Sequence, residues 1–326
     1  MAGKLLRIFG VLLMLTALSV PLMQAPDREV QSLVARWAPP PSDFLDLQGQ
    51  LVHYRDEGPR SDVTPLVLLH GTSASLHTWE GWVKALRGQR RVISLDLPGF
   101  GLTGPYAGKY ANTAYTAAND ARFVLDVLDA LKVQRFSVGG NSLGGEVAWR
   151  LAASVPQRVD RLVLVDSAGY AFDTAAVPLA WRVARLPVVG SLIEQLLPRP
   201  LIVSGLVDVY ADPKRITEPL VDRYFELTLR SGNRHALVQR LRGLQLGDGQ
   251  AQIVAIKAPT LILWGGRDQL IAPTWAERFH RDIAGSRVVL LPTLGHAPQE
   301  EDPAASVLPV LAFLQAAPAP ATVSGR

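Results

Sequence analysis

The 326 residues include 33 basic and 29 acidic side chains, a net charge of +4, and 48% of them are hydrophobic. That length and apolar content suffice for one large α/β domain with an insertion, or for two domains. The absence of cysteine excludes disulfides, thiolate metal sites and a cysteine nucleophile, and no dense Lys/Arg stripe with interleaved aromatics marks a nucleic-acid partner.

Lys4 and Arg7 precede an apolar run over residues 8–23. A basic start followed by such a run reads as an export signal. At about 16 residues it falls just short of the roughly 17–25 that span a bilayer. Residues 1–25 are therefore read as a signal-anchor or a signal cleaved after Ser19, with a buried helix as the plainer alternative. The positive flank would hold the N-terminus in the cytoplasm and place the rest of the chain outside: membrane-anchored, or secreted or periplasmic after cleavage.

Residues 26–41 turn polar and then proline-rich (Ala38-Pro39-Pro40-Pro41) and read as a linker. Strands and helices then alternate, which predicts a parallel sheet covered on both faces. Residues 51–54 alternate like a half-exposed strand. Residues 65–69 and 91–95 are continuous apolar runs, as central parallel strands are. Residues 113–131 carry helical periodicity, with Phe123, Val124, Val127, Leu128 and Leu131 on one face. Residues 136–138 form a short strand before a helix that begins at Leu143, and residues 162–165 form another buried strand. From 170 to 256 the pattern is mainly helical, a cap between core segments 42–169 and 257–316. Strands resume at 260–264 and 288–291, a last helix ends near Gln315, and residues 317–326 read as a disordered tail.

Gly140-Asn141-Ser142-Leu143-Gly144-Gly145 is a G-x-S-x-G match between a predicted strand and a predicted helix, the context that gives the pattern meaning. A serine hydroxyl is a weak nucleophile; it has to sit exposed on a sharp turn beside a base, and the following helix N-terminus favours developing negative charge. The plainer reading is a glycine-rich strand-to-helix turn. His70-Gly71-Thr72-Ser73 follows the strand at 65–69, where such a site takes one oxyanion donor; the donors would be the backbone N–H groups of Thr72 and Leu143. His70 is expected to orient this loop, not to act as base. His53, His77, His235 and His280 are expected to be structural or surface residues, and Asp126 and Asp129 have no catalytic context. Asp268 closes the strand at 260–264, and His296 follows the last strand. The chain order Ser142, Asp268, His296 suits a triad in which His296 relays the serine proton and Asp268 fixes its tautomer. Asp268 could instead cap the helix before Pro273. Asp166, also at a strand end, is the rival acid.

Four stretches in order carry a resemblance to the α/β-hydrolase superfamily: His70-Gly71-Thr72, Asp96-Leu97-Pro98-Gly99-Phe100-Gly101, the Ser142 turn, and Gly295-His296-Ala297-Pro298-Gln299-Glu300-Glu301-Asp302-Pro303. The resemblance covers about residues 42–316. It implies an α/β-hydrolase fold with an inserted helical cap and a serine-nucleophile hydrolase needing no metal or organic cofactor. Asp96 to Gly101 would be a structural loop, and Glu301 would start the final helix. Epoxide and haloalkane hydrolases of this superfamily have aspartate where Ser142 stands, which argues against them. The Gly-Asn-Ser-Leu-Gly-Gly turn looks like that of meta-cleavage-product hydrolases, which split carbon–carbon bonds. Those enzymes have a tryptophan after the catalytic histidine, and here Ala297 stands there. The expected reaction is hydrolysis of a small-molecule carboxylic ester of an apolar acid or alcohol. The alternatives are carbon–carbon hydrolysis and a non-catalytic binding protein of the same fold. The apolar stretch 186–206 is either a lid over Ser142 or cap-on-core packing.

Overall fold

The computed structural model describes residues 25–171 and 195–316, together with Met14. Apart from Met14, the apolar run at 8–23 lies outside the described residues, as do the predicted tail at 317–326 and the first part of the 186–206 stretch. Among the described residues no helix is long and apolar enough to cross a membrane.

Eight strands form one sheet: β1 (Ser42–Asp46), β2 (Leu51–Glu57), β3 (Leu66–Leu69), β4 (Val92–Leu95), β5 (Phe136–Asn141), β6 (Val159–Val165), β7 (Thr260–Gly265) and β8 (Arg287–Leu291). Their spatial order is β1-β2-β4-β3-β5-β6-β7-β8. The β1–β2 and β2–β4 pairs are antiparallel, and all later pairs are parallel. The central strands β3 and β4 are buried at every residue because helices cover both faces. One face is packed by Phe123, Val127, Trp149 and Phe279, the other by Trp79, Trp82, Val310 and Phe313. Each such side chain, once fully buried, stabilises the fold by about 1.5–3 kcal/mol before the cost of ordering it.

The helices, in chain order, are α1 (Val30–Trp37), α2 (Glu80–Leu86), α3 (Ala117–Ala130), α4 (Leu143–Ser154), α5 (Arg199–Val209), α6 (Glu218–Thr228), α7 (Asn233–Gly243), α8 (Thr274–Asp282), α9 (Pro298–Glu301) and α10 (Pro303–Gln315). Helix α3 starts later than the periodicity suggested, because the Thr116 side chain accepts from the Asn119 N–H at 3.2 Å and caps it there. Between β6 and β7 the described residues contribute α5, α6 and α7 and no strand.

Residues 26–41 do not form a free linker. Val30, Leu33, Val34 and Trp37 lie at helical spacing, and α1 buries Leu33 with Leu102 and Leu227. Arg36 pairs with Asp222 and Glu226 of α6 at 2.8 and 2.7 Å, and the Trp37 indole donates to Glu226 at 2.7 Å. Charged partners 186–190 residues away were invisible to a reading of local composition. Strand β1 was also missed: Ser-Asp-Phe-Leu-Asp is half polar because it is an edge strand with no residue fully buried.

Register places the loops that matter at one rim. Leu69 pairs with Gly140, Asn141 with Val165, and Val165 with Leu263, so β3, β5, β6 and β7 end side by side. The sequence order reverses around β3, and the crevice beyond strand carboxyl ends at such a switch is where open α/β sheets bind ligands.

Candidate active site

Ser142 sits between β5 and α4 with φ +55° and ψ −117°, a backbone conformation that L-residues rarely hold. Its N–H donates to Val165 O at 3.1 Å, and its carbonyl accepts from Glu146 and Ala168, each at 3.1 Å. Those three bonds hold the strained residue in place. The tight turn depends on Gly144, where a Cβ would stand 2.1 Å from the Leu69 carbonyl oxygen.

The loop after β3 lies directly against this turn: a Cβ on Gly71 would stand 3.2 Å from Ser142 Cβ. Thr72 and Leu143 both line a cavity with Ser142. Among the described residues, neither Thr72 nor Leu143 donates its backbone N–H to any acceptor. Two free N–H groups beside a nucleophile, one at a helix start, suit a developing oxyanion. His70 braces the loop. Its Nε2 accepts from the Leu97 N–H at 3.0 Å, and its Nδ1–H donates to the Gly71 carbonyl at 2.7 Å. Burial holds its basicity below the ordinary histidine value.

His296 and Asp268 meet in the buried rim, with His296 Nδ1 2.7 Å from Asp268 Oδ2. The carboxylate offers no proton, so the imidazole carries its proton on Nδ1 and keeps Nε2 free as an acceptor. Asp268 Oδ1 accepts from the N–H groups of Leu270 and Ile271 at 2.8 and 3.0 Å. The acid therefore serves both the turn after β7 and the histidine, and does not cap α8. Ser142 Oγ makes no hydrogen bond to His296 in this structure, although both residues line the same two cavities. Such bonds are often long or unformed without substrate.

Two positioning residues escaped the sequence reading. Asn141 Nδ2 donates to His296 O at 2.9 Å and to Val165 O at 3.2 Å, bridging the serine turn to the histidine loop. Glu301 ends α9, and its carboxylate accepts from the Gly295 N–H at 2.7 Å and the Asp212 N–H at 2.9 Å. Both lie in motifs singled out above, but their partners are backbone groups that only the fold brings near.

Asp166, the rival acid, is fully buried at the end of β6. One oxygen of Asp166, one of Asp268 and one nitrogen of His296 lie within 4.8 Å of one another, the only cluster among the described residues with a metal-ligand set. Both oxygens of Asp268 are already engaged by N–H donors, so the donor set is committed to the protein itself.

Asp96 is a structural hub, as expected of its loop. It accepts from Leu76 and Leu102 N–H groups at 2.7 and 2.8 Å and lies 2.7 Å from His53 Nδ1. Burial alone would raise its pKa, but the neighbouring His53, with His70 and His77, holds it well below the usual carboxylate range. His77 joins Ser75 and the Trp37 carbonyl, and burial lowers it to about 4. His235 and His280 lie exposed on α7 and α8.

Two cavities meet at Ser142 and His296. One, of about 290 Å³, runs under α5 and is lined by Leu201, Ile202, Leu206, Val209 and Leu237. The other, of about 210 Å³, runs between Tyr115, Tyr170, Leu244 and Leu270 and ends at Glu146 and Arg150, which pair at 2.8 Å. The described part of the 186–206 stretch thus forms a wall above the serine.

A family described as the alpha/beta hydrolase fold matches residues 64–303. The chain belongs to the α/β-hydrolase family. This hydrolase is 29% identical over 248 residues to 2-hydroxymuconate semialdehyde hydrolase of Pseudomonas sp. (strain CF600), covering 73% of its own chain and 82% of the relative. It is similar to the crystal structure of a hydrolase from Pseudomonas aeruginosa PA01 with a TM-score of 0.70 and 31% identity, over 85% of this chain and 99% of that one. A membrane phospholipase A, described as a bacterial virulence factor, aligns with a TM-score of 0.70 and 25% identity over 96% of this hydrolase and 98% of its own chain.

Proposed function

We propose that this hydrolase cleaves carboxylic esters of apolar acids or alcohols through an acyl intermediate on Ser142. Oγ of Ser142 attacks the carbonyl carbon while its proton passes to His296 Nε2. The tetrahedral oxyanion faces the N–H groups of Thr72 and Leu143. Collapse breaks the ester C–O bond, and the alcohol leaves with the proton from His296. Water then repeats the sequence and frees the acid. Asp268 holds the imidazole in the Nδ1–H form and balances the imidazolium charge.

The observation that carries the reading is the strained Ser142 on the floor of two largely apolar cavities that also contain the His296–Asp268 pair. Two cavities give the two halves of an ester separate places on either side of the nucleophile. Carbon–carbon hydrolysis of the meta-cleavage-product type is the second reading, favoured by the likeness to 2-hydroxymuconate semialdehyde hydrolase. Ala297 in place of the tryptophan that follows the histidine in that group weighs against it.

The same reading sets the enzyme outside the cytoplasm, attached through residues 1–25 or released after cleavage. Lys4, Arg7 and the run at 8–23 support it. So does the place where the run ends: Ala25 packs with Leu197 and Leu229, next to α5, whose Leu201, Val203 and Val207 are exposed. A segment held in a membrane would bring this apolar face toward it. Full-length protein in mild detergent, offered p-nitrophenyl esters of graded chain length and a meta-cleavage product side by side, tests the substrate class. Turnover of the esters is the expected result. Turnover of the carbon–carbon substrate alone would hand the site to the second reading.

A further inference from the structure

The acid of this site is a pair. We propose that Asp166 is a positioning residue, a neutral carboxylic acid whose O–H donates to Asp268, so that two carboxyl groups share one proton behind His296. The inference rests on the reading of Asp268 as the partner of His296.

Four observations lead there. Asp166 is completely buried at the end of β6, with φ +46°, in the left-handed region that aspartate tolerates better than most residues. Its Oδ1 accepts from the Gly265 N–H at 2.9 Å, and no donor of the protein reaches Oδ2. Asp268 is different: N–H groups of Leu270 and Ile271 and the imidazole of His296 all point at it. Finally, the oxygens of the two aspartates lie within 4.8 Å, with Glu301 as a further anion near Asp166.

Two carboxylates this close in a buried rim cannot both stay ionised, and the proton settles on the one with fewer donors. That one is Asp166. Burial, then the charge of Asp268, pushes its carboxyl well above the usual range. A proton on Oδ2 supplies the partner that this otherwise orphaned oxygen lacks, and the acceptor in reach is Asp268. The negative charge then stays on Asp268, which is held from a fourth side, and His296 is oriented through it.

Infrared difference spectra and kinetics test this together. The wild-type protein at neutral pH should show a protonated-carboxyl band that disappears in Asp166→Asn. Its persistence in that variant would overturn the proposal whatever the substrate proves to be, so this arm is independent of the ester reading. In turnover, Asp166→Asn keeps an N–H donor toward Asp268, whereas Asp166→Ala keeps none. The expected kcat of Asp166→Ala is ten-fold or more below that of Asp166→Asn, with KM alike. Equal kcat values would overturn the donor role. In Asp268→Asn the like charge is gone, and Asp166 can ionise and serve His296 itself. Its residual kcat should exceed that of the Asp166→Asn/Asp268→Asn double variant at least ten-fold, and equal residuals would contradict the pairing. If wild type itself turned over no ester, the function would fall while the infrared result still judged the pair.

Discussion

Ser142, His296 and Asp268 divide one proton-transfer task, so they should fail as a unit. Ser142→Ala and His296→Ala are each expected to lower ester turnover by about 10⁴-fold or more, with the double variant little worse. Multiplicative losses measured in steady-state kinetics would mean that the two residues act separately. The serine turn was legible because its geometry restricts local sequence: Gly144 must lack a Cβ, and Ser142 must precede a helix. Asn141, Glu301 and the closeness of Asp166 to Asp268 were not legible. Each depends on which backbone or side chain a distant strand end presents, as when Asn141 reaches His296 across 155 positions.

At the scale of elements, the cap is fastened to the core by charge as well as by apolar contact. Arg240 of α7 pairs with Asp120 of α3 at 2.6 Å and donates to Pro98 O at 3.0 Å, while the Tyr106 hydroxyl donates to Asp120 at 2.9 Å. All of this is buried, so removing one partner strands a charge. Arg240→Met should cost about 3–5 kcal/mol in urea unfolding, and adding Asp120→Leu should recover part of it. A double variant as unstable as the sum of its parts would oppose that account. Helix α5 makes a second test, because Ile202 and Leu206 line the larger cavity. If α5 selects substrate, Leu206→Ala should shift preference along an ester series by about 1–3 kcal/mol per methylene of lost fit. Should the melting temperature fall while the preference profile stays fixed, α5 merely packs. The strands of the sheet centre were readable as apolar runs; β1 and α1 were not, since an edge strand and a helix against a charged neighbour keep polar sequences.

For the whole molecule, buried histidines set the acid limit. His77, held at about 4 against an ordinary 6.5, and His70, also lowered, stay neutral in the fold and take up protons only when the chain unfolds. The unfolded state therefore binds more protons below pH 6.5, and stability drops as pH falls. His77 alone accounts for a loss of at most about 3 kcal/mol between pH 6.5 and 4. Asp96 acts in the same direction at lower pH, since its depressed carboxyl stabilises the fold above the usual carboxylate pKa and loses that effect on protonation. His77→Gln should flatten the dependence between pH 6.5 and 4; an unaltered slope in that variant would assign the effect elsewhere. The sheet order, with β4 outside β3, is a global property that periodicity does not encode, yet it is what gathers Ser142, Asp268 and His296 at one rim.

The central claim is a covalent acyl group on Ser142, and intact-mass spectrometry of protein quenched during turnover of a slow ester measures it directly. The account predicts a mass gain of one acyl group, mapped by peptide digestion to Ser142 and missing from Ser142→Ala. Steady ester turnover with an unmodified Ser142, or by Ser142→Ala, would contradict it.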